Sequence, residues 1–115
     1  MRIAGIGCRK AAPPAALRDA LLRALLQSGP VQAIATIPAR KAELQALNLP
    51  LLLVEIAEIS TPTQSPRIQR LYRTGSVAEA AALAACGKDG VIVVSRVISA
   101  CGTATAAIAE RPEQS

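Results

Sequence analysis

A short turn near the N-terminus carries the residues best suited to bind or react with a ligand. It runs Gly5-Ile6-Gly7-Cys8-Arg9-Lys10, between an apolar segment that predicts a strand and a helical pattern that follows Pro13. The glycines let a ligand approach the backbone, and amides at the positive end of the next helix favour an anion. Arg9 adds a guanidinium that can bind a carboxylate or phosphate through two hydrogen bonds. The stretch therefore predicts an anion-binding turn.

The same stretch also fits a tight strand-to-helix turn whose charges are simply solvated. It is not a dinucleotide-binding fingerprint, because Lys10 stands where the third glycine of that motif belongs. In addition, no acidic residue closes a second strand at the distance that the motif requires. The turn alone leaves both interpretations open.

Covalent chemistry is restricted by what the chain lacks. It has no histidine, which excludes Ser-His and Cys-His nucleophile pairs and most catalytic zinc sites. Cys8, Cys86 and Cys101 lie far apart in sequence, so we expect neither a zinc knuckle nor a disulfide framework. We also expect no metal and no cofactor. Free cysteines of this kind fit a reducing, cytoplasmic setting.

Two residues remain as catalytic candidates. Cys8 is a candidate nucleophile, since the helix N-terminus and Arg9 could lower its pKa, and Glu43 is a candidate acid or base. The alternative for Cys8 is a small buried side chain.

The overall composition narrows the range of partners. Of 115 residues, 13 are Lys or Arg and 8 are Asp or Glu, so the net charge of +5 favours anionic partners. The cations are scattered rather than clustered, and Tyr72 is the one aromatic residue, which argues against the stacking of nucleic-acid bases. No apolar run has the length of a membrane helix, and no signal-peptide pattern opens the chain. We therefore expect neither nucleic acid nor membrane as a partner.

Hydrophobic periodicity predicts alternating strands and helices. The predicted strands are apolar runs bounded by strand-breaking residues: 2–8, 31–37, 51–54, 91–94 and 103–109. Of these, 51–54 has the composition of a buried parallel strand. The predicted helices have apolar residues at helical spacing: 14–28, 39–47 and 76–86, with 67–73 as a further candidate. This order predicts an α/β fold, a single-domain α/β sandwich with a mostly parallel mixed sheet of about five strands flanked by helices. The last strand is expected to return antiparallel, residues 1–110 to form the domain and 111–115 to form a flexible tail.

Two local patterns predict what particular side chains do. Ser76 and Glu79 have capping-box spacing, so each side chain is expected to accept a hydrogen bond from the other's backbone amide. Arg67, Arg70 and Arg73 recur at three-residue spacing and would form one cationic edge of a helix. A solvated face is the favoured interpretation of this arginine row, because most such runs are surface.

The carboxyl ends of the predicted strands carry cations. Ligands of parallel-sheet proteins bind beyond these ends, which gather along one edge of the sheet. Arg9 follows the first strand, Arg40 follows the second strand shortly after Thr36, and Arg96 opens a loop predicted for 96–102. We expect Arg9, Arg40 and Arg96 to converge on one face and to hold carboxylates of a ligand.

The same residues carry a family resemblance. The matching features run in order along the chain: Gly5-Ile-Gly-Cys-Arg9, Ala35-Thr-Ile37 followed by Arg40-x-x-Glu43, Ser65, Ser76-Val-Ala-Glu-Ala-Ala81, and Thr105-Ala-Ala-Ile-Ala109. With them the sequence resembles the CobE family of cobalamin biosynthesis, which is similar to the C-terminal domain of CbiG. The likeness covers nearly the whole chain, and its first motif and its Val-Ala-Glu-Ala-Ala helix are fairly specific in combination.

The resemblance implies a role in building the corrin ring of vitamin B12. It implies a protein of the aerobic route that binds or carries a polycarboxylate corrinoid or precorrin intermediate, with other enzymes of the pathway as candidate partners. An enzyme acting on a precorrin, similar to the lactone hydrolase CbiG, is the alternative. A third alternative, from another class, is a generic anion- or nucleic-acid-binding α/β module. Whether the chain is an enzyme stays open at this point.

The residues and the resemblance together select ten candidate ligand-binding positions. They lie at or near the predicted strand ends and in the loop before 67–73: Gly5, Gly7, Cys8, Arg9, Thr36, Arg40, Glu43, Ser65, Arg96 and Thr105. Of these, Cys8 and Glu43 are also the catalytic candidates.

Overall fold

The computed structural model describes residues 1–112, in which five strands and four α-helices follow the order β1-α1-β2-α2-β3-α3-α4-β4-β5. The strands are β1 (Arg2–Cys8), β2 (Ala33–Thr36), β3 (Leu51–Leu53), β4 (Val91–Ile98) and β5 (Ala104–Glu110). The helices are α1 (Pro14–Ser28), α2 (Lys41–Gln45), α3 (Pro66–Tyr72) and α4 (Val77–Cys86), and a 3₁₀ turn at Pro38–Arg40 leads into α2. The predicted α/β class is therefore confirmed.

The strands form one mixed sheet in the order β3-β2-β1-β5-β4. β1 pairs in parallel with β2, and β2 with β3, whereas β5 is antiparallel to both β1 and β4. Because only β5 runs against the others, the carboxyl ends of β1, β2, β3 and β4 lie at the same edge of the sheet. The predicted antiparallel return of the last strand is confirmed. So is the predicted gathering of the strand ends that carry cations.

Helices cover both faces of the sheet. Alternating residues of β1 face opposite sides: Ala4 and Ile6 pack in the core under α1, and Ile3 packs in the core under α4. The α1 side is filled by the larger side chains, among them Leu17 and Leu21. On the α4 side, half of the buried residues of the core are alanines, and their small size lets this helix lie close to the sheet.

Gly5 shows how close that packing is. A Cβ at this position would overlap the carbonyl oxygen of Ala78 and the amide nitrogen of Ala82, both in the backbone of α4. The lack of a side chain at Gly5 therefore admits a helix rather than a ligand, which corrects its assignment as a ligand-binding residue.

The helix ends follow the local sequence. Gly29 and Gly87 adopt φ near +85° after α1 and α4, a conformation that glycine reaches without strain, and their amides donate to Leu25 and Leu83. At the start of α4, the hydroxyl of Ser76 accepts from the amide of Glu79 at 3.3 Å, as predicted. The reciprocal half of the capping box is wrong, because the Glu79 carboxylate accepts hydrogen bonds from other segments.

Two strand predictions need correction. β4 continues to Ile98, so Arg96 lies within a strand and not in a loop; pairing with β5 persists through a register shift between Val94 and Val97. β3 is an edge strand in which Leu52 and Leu53 are each 42% exposed, not the buried strand that its apolar run predicts. A continuous apolar run does not reveal whether a further strand lies beside it.

The end of the chain was predicted as a tail from residue 111. Arg111 instead continues the pairing of β5 with the N-terminus, since Met1 and Arg111 exchange two backbone hydrogen bonds of 2.9 Å. Residues 113–115 of the predicted tail lie outside the described residues. Among the helices of residues 1–112, none combines the length and apolar character needed to cross a bilayer.

Candidate functional site

A cleft of about 600 Å³ opens at the carboxyl edge of the sheet, beside the first turn of α4. Its lining comes from the end of β1, the start of β5, the second half of β4, helix α3, the first residue of α4 and the loops that adjoin them. The residues that line it are Gly7, Cys8, Arg9, Lys10, Arg40, Ser65, Arg67, Ile68, Tyr72, Val77, Arg96, Ile98, Gly102, Thr103 and Thr105.

Cations dominate the polar part of this lining. Arg9, Lys10, Arg40, Arg67 and Arg96 all contribute, and no Asp or Glu of residues 1–112 lines the cleft. Like charges gathered around a concave surface raise the local concentration of anions. The structure thus brings Arg9, Arg40 and Arg96 to one cleft, as the strand ends predict. That they hold carboxylates of a ligand stays a prediction.

Hydrogen bonds hold the side chain of one of these arginines and the backbone of another. The Nε of Arg40 donates to the carbonyl oxygen of Cys8 at 3.0 Å, and its Nη1 donates to that of Ala39 at 3.2 Å. Arg96 lies in the irregular part of β4, where its amide donates to the Glu79 carboxylate. Both side chains are half-buried, whereas those of Arg9 and Lys10 are exposed. The cleft thus combines two half-buried cations, of which the Arg40 guanidinium is held by backbone carbonyls, with exposed cations at its rim.

An apolar surface accompanies the cations. Ile68 and Tyr72 of α3, Val77 of α4 and Ile98 of β4 line the cleft alongside Gly7. A Cβ on Gly7 would lie 2.9 Å from the Thr105 hydroxyl and 3.1 Å from the Val77 Cβ, so glycine keeps this wall open. An apolar wall in the same cleft as several cations suits a ligand with a hydrophobic body and charged side arms.

Sequence reasoning missed part of this lining. Lys10, Ile68 and Tyr72 line the cleft, although the sequence pattern does not single them out. Arg67 lines it too while remaining exposed, so the solvated face predicted for the arginine row agrees with Arg67 as it does with Arg73, which forms an exposed ion pair to Glu58 at 3.6 Å. The three-residue spacing of the arginines predicts a helix, but it does not predict where that helix lies relative to the sheet. Local periodicity therefore could not have separated Arg67 from Arg73.

Ser65 and Thr105 line the cleft but also have structural contacts. The Ser65 hydroxyl accepts from the amide of Ile68 at 3.5 Å and caps α3. The Thr105 hydroxyl donates to the carbonyl oxygen of Gly7 at 3.3 Å, across the β1–β5 pair. Their assignment as ligand-binding residues stays a prediction.

Thr36 and Glu43 are not brought to the cleft. Thr36 is fully buried, and its hydroxyl donates to the carbonyl oxygen of Ile6 at 2.7 Å, which joins β2 to β1. Glu43 accepts from the amide of Ala11 at 2.8 Å. Ala11 has φ of +59°, so this contact holds a left-handed turn directly after Arg9 and Lys10. Thr36 and Glu43 therefore stabilise backbone segments next to the cleft, and neither side chain lines it.

The environment of Cys8 opposes the nucleophile hypothesis. The pKa of the Cys8 thiol is raised to about 11: burial is the main cause, the charge of Glu43 adds to the rise, and the charge of Arg40 opposes it. The side chain packs partly buried against the core under α1. The lowered pKa that the nucleophile hypothesis requires is therefore not found, and near neutral pH the group is a thiol rather than the thiolate that attacks. The packing agrees with the alternative, a small buried side chain.

Glu43 is a poor proton donor. Hydrogen bonds from the amide of Ala11 and from the backbone amide of Glu43 itself, followed by the charges of Arg40 and Lys10, lower the pKa of the Glu43 carboxyl.

Across residues 1–112, no three His, Cys, Asp or Glu side chains cluster as a metal site would require. All three cysteines are free.

Comparisons with known proteins agree with one another. The family described as "Cobalamin synthesis G C-terminus" matches residues 2–109. CobE, described as "a protein from the cobalamin (vitamin B12) biosynthetic pathway", has a solved structure that is similar with a TM-score of 0.78 and 25% identity, over 100% of this chain and 93% of that one. The cobalamin biosynthesis protein chiG from Agrobacterium tumefaciens is similar with a TM-score of 0.68 and 30% identity, over 98% of this chain and 100% of that one. No curated protein sequence matches the chain.

Proposed function

Because the chain belongs to the family of the C-terminal part of the cobalamin synthesis G proteins, and so is a protein of cobalamin biosynthesis, we propose that it binds and carries a corrinoid intermediate of that pathway. The ligand is a corrin precursor, of the aerobic route, whose side chains end in free acetate and propionate carboxylates. The cleft at the carboxyl edge of the sheet is its site.

The observation that carries this proposal is the charge of the cleft. Five cations line it without an acidic residue among those described. A guanidinium can bind a carboxylate through two parallel hydrogen bonds, and a hydrogen bond to a charged group contributes about 1.5–3 kcal/mol. A ligand with several carboxylates engages several of these cations at once, whereas a monocarboxylate engages one.

The apolar wall supports a macrocycle in particular. Ile68, Tyr72, Val77 and Ile98 provide a surface against which the flat, hydrophobic body of a corrin can pack. The cleft volume of about 600 Å³ lies within the range of small-molecule sites, and its lining is open to one side. This arrangement accommodates one edge of a macrocycle, with the carboxylates turned towards the cations.

The test is a spectroscopic titration with hydrogenobyrinic acid, a corrin whose side chains end in carboxylates. The matched ligand is the same corrin with its side chains converted to primary amides. We expect saturable binding of the acid, weakened by added salt, and a loss of at least tenfold in affinity for the amide, which is about 1.4 kcal/mol. Equal affinity for both ligands, or no binding of either, would overturn the proposal.

The same mixture separates a carrier from an enzyme. Mass spectrometry of the ligand recovered from the complex gives its mass before and after incubation with the protein. A carrier returns the ligand unchanged. A new product mass would replace the carrier proposal with catalysis on the corrinoid.

A further inference from the structure

We propose that Glu79 is a positioning residue of the cleft, which sets the places of the 61–65 loop and of the bulged part of β4 that carries Arg96. This inference rests on the proposed function, since its consequence is measured as corrinoid affinity. Glu79 itself does not line the cleft.

The contacts of Glu79 join three segments. The side chain lies in the first turn of α4 and is 0% exposed. Its Oε1 accepts from the amide of Thr63 at 2.8 Å, and its Oε2 accepts from the Thr63 hydroxyl and from the amide of Arg96, each at 3.1 Å. A carboxylate is retained in a protein interior only when such hydrogen bonds replace its water. Here all three come from outside α4, so the side chain connects the helix to both neighbouring segments.

Two attachments hold the 61–65 loop: the contacts with Glu79, and the Ser65 amide, which donates to the Gly75 carbonyl at 2.9 Å. Within the loop, the Thr61 hydroxyl donates to the Thr63 carbonyl at 2.8 Å, and the Gln64 amide donates to the Thr61 carbonyl at 2.7 Å. These bonds maintain the shape of the loop, whereas those to Glu79 attach it to α4. The loop leads directly into α3, of which no residue is fully buried. The placement of α3, and with it of Arg67, therefore relies on anchors such as Glu79.

The bulged part of β4 has the same dependence. The register of β4 against β5 shifts between Val94 and Val97, which places Arg96 where the regular ladder is interrupted. An amide at such an interruption needs another acceptor, and Glu79 supplies it. Bulges redirect side chains, and here the Arg96 side chain lines the cleft. One carboxylate thus fixes the backbone beneath Arg96 and the loop that leads to Arg67.

A simple capping role does not require this arrangement. The hydroxyl of Ser76 already caps α4 by accepting from the amide of Glu79. The other buried residues of α4 are Val77, Cys86 and alanines, so Glu79 is the one charged side chain on its buried face. Burying a charged side chain costs free energy. The hypothesis tested here is that Glu79 offsets this cost by fixing the positions of the 61–65 loop and of the Arg96 backbone.

The experiment measures the affinity of hydrogenobyrinic acid for Glu79→Gln and Glu110→Gln variants. Glutamine keeps the size of the side chain, but its NH₂ group cannot accept from the amides of Thr63 and Arg96, so one of these contacts is lost. We expect Glu79→Gln to weaken binding at least tenfold, measured well below its melting temperature. Glu110→Gln is the control, because it removes the same negative charge at a position away from the cleft. Glu110 is the last residue of β5, and its carboxylate pairs with Arg2 at 2.9 Å. We expect its variant to bind within about twofold of wild type.

A double-mutant cycle separates positioning from general destabilisation. If Glu79 acts through Arg96, the effects of Glu79→Gln and Arg96→Gln should be non-additive by about threefold or more, since removing the guanidinium leaves less to position. The cycle with Arg40→Gln should be additive, because Arg40 is held by the carbonyl of Cys8 instead. A general loss of stability would produce the same pattern in both cycles.

A milder variant covers the case in which Glu79→Gln does not fold. Thr63→Val removes only the hydroxyl that donates to Glu79, and we expect it to weaken binding about threefold and to couple with Arg96→Gln. Wild-type affinity in a folded Glu79→Gln or Thr63→Val variant, or additivity in both cycles, would overturn the role of Glu79 alone. Absence of binding by the wild type would instead overturn the proposed function and this inference together.

Discussion

The guanidinium of Arg40 donates a hydrogen bond from Nε to the carbonyl oxygen of Cys8 at 3.0 Å, which joins the 3₁₀ turn after β2 to the end of β1. The contact fixes one cation of the cleft at the point where the chain leaves the sheet. It also places a positive charge near a thiol, which by itself lowers a thiol pKa. Burial outweighs that effect, because the pKa of Cys8 is raised to about 11.

Cys8 should therefore react much more slowly than Cys101 with an alkylating agent. At pH 8, a thiol whose pKa is about 11 is thiolate in about one molecule in a thousand. Cys101 is exposed, and hydrogen bonds from Thr103, followed by that from Ser99, lower its pKa. Peptide mass spectrometry after iodoacetamide treatment at pH 8 should show Cys101 modified first. Earlier modification of Cys8 would contradict the protonated state derived from its burial.

The same reasoning predicts that Cys8→Ser retains function. Since the thiol is held protonated, the side chain contributes packing at the end of β1 rather than covalent chemistry. Complementation of a cobalamin-producing strain that lacks its own copy should remain close to wild type. Loss of complementation with a normally folded protein would restore the nucleophile hypothesis.

Gly5→Ala should strongly destabilise the protein although it adds only one methyl group. The new Cβ would overlap the backbone of α4 at Ala78 and Ala82, which cannot move aside as a flexible side chain can. Overpacking of this kind costs about 1–3 kcal/mol, and more where backbone must shift. Urea unfolding measures the loss. Gly102→Ala is the comparison, because no atom lies within 4 Å of its Cβ position and only its φ of +77° opposes the change.

Gly5 and Gly7 show what the sequence could and could not predict. Their spacing predicts a glycine-rich turn, but both residues lie within β1 and pair with β5, and the turn follows only after Cys8. The spacing did not show that Gly5 faces α4 while Gly7 opens the cleft, since that depends on which helix crosses the strand. The contacts of Glu79 were missed for the same reason. Capping-box spacing is visible in sequence, whereas Thr63 and Arg96 reach the carboxylate only through tertiary folding.

The convergence of Arg9, Arg40 and Arg96 could be predicted because it follows from strand direction alone. Alternating apolar runs and helical patterns imply parallel strands, and parallel strands place their carboxyl ends together. Arg67 and Tyr72 reach the same cleft by another route. They lie on α3, which follows an irregular loop and has no fully buried residue, so its periodicity carries little information on where it packs.

Asp19 should contribute stability that acid removes. The amide of Ala100, followed by the Arg23 guanidinium, lowers the pKa of the Asp19 carboxyl below its ordinary 3.8. A carboxyl whose pKa is lowered by folding stabilises the folded state above its unfolded pKa, and this contribution is lost as pH falls through the folded pKa. Asp19→Asn should therefore lower the urea midpoint at pH 7 but much less at about pH 2.5. Asp89→Asn, at an exposed turn position, is the control, and an equal loss for Asp19→Asn at both pH values would contradict the assignment.

Arg67 and Arg70 offer the sharpest test of the cleft, since they lie on the same short helix and only Arg67 lines the site. Replacing either by Gln removes one positive charge from α3, so the change in net charge is identical. If binding depends on contact with a ligand carboxylate, Arg67→Gln should weaken the affinity for hydrogenobyrinic acid about tenfold, equivalent to about 1.4 kcal/mol. Arg70→Gln should change it little. The difference should shrink as salt rises above 0.1 M, where the screening length is about 10 Å and exposed pairs weaken. Equal losses in the two variants would mean that the ligand responds to the overall charge of the protein and not to the cleft.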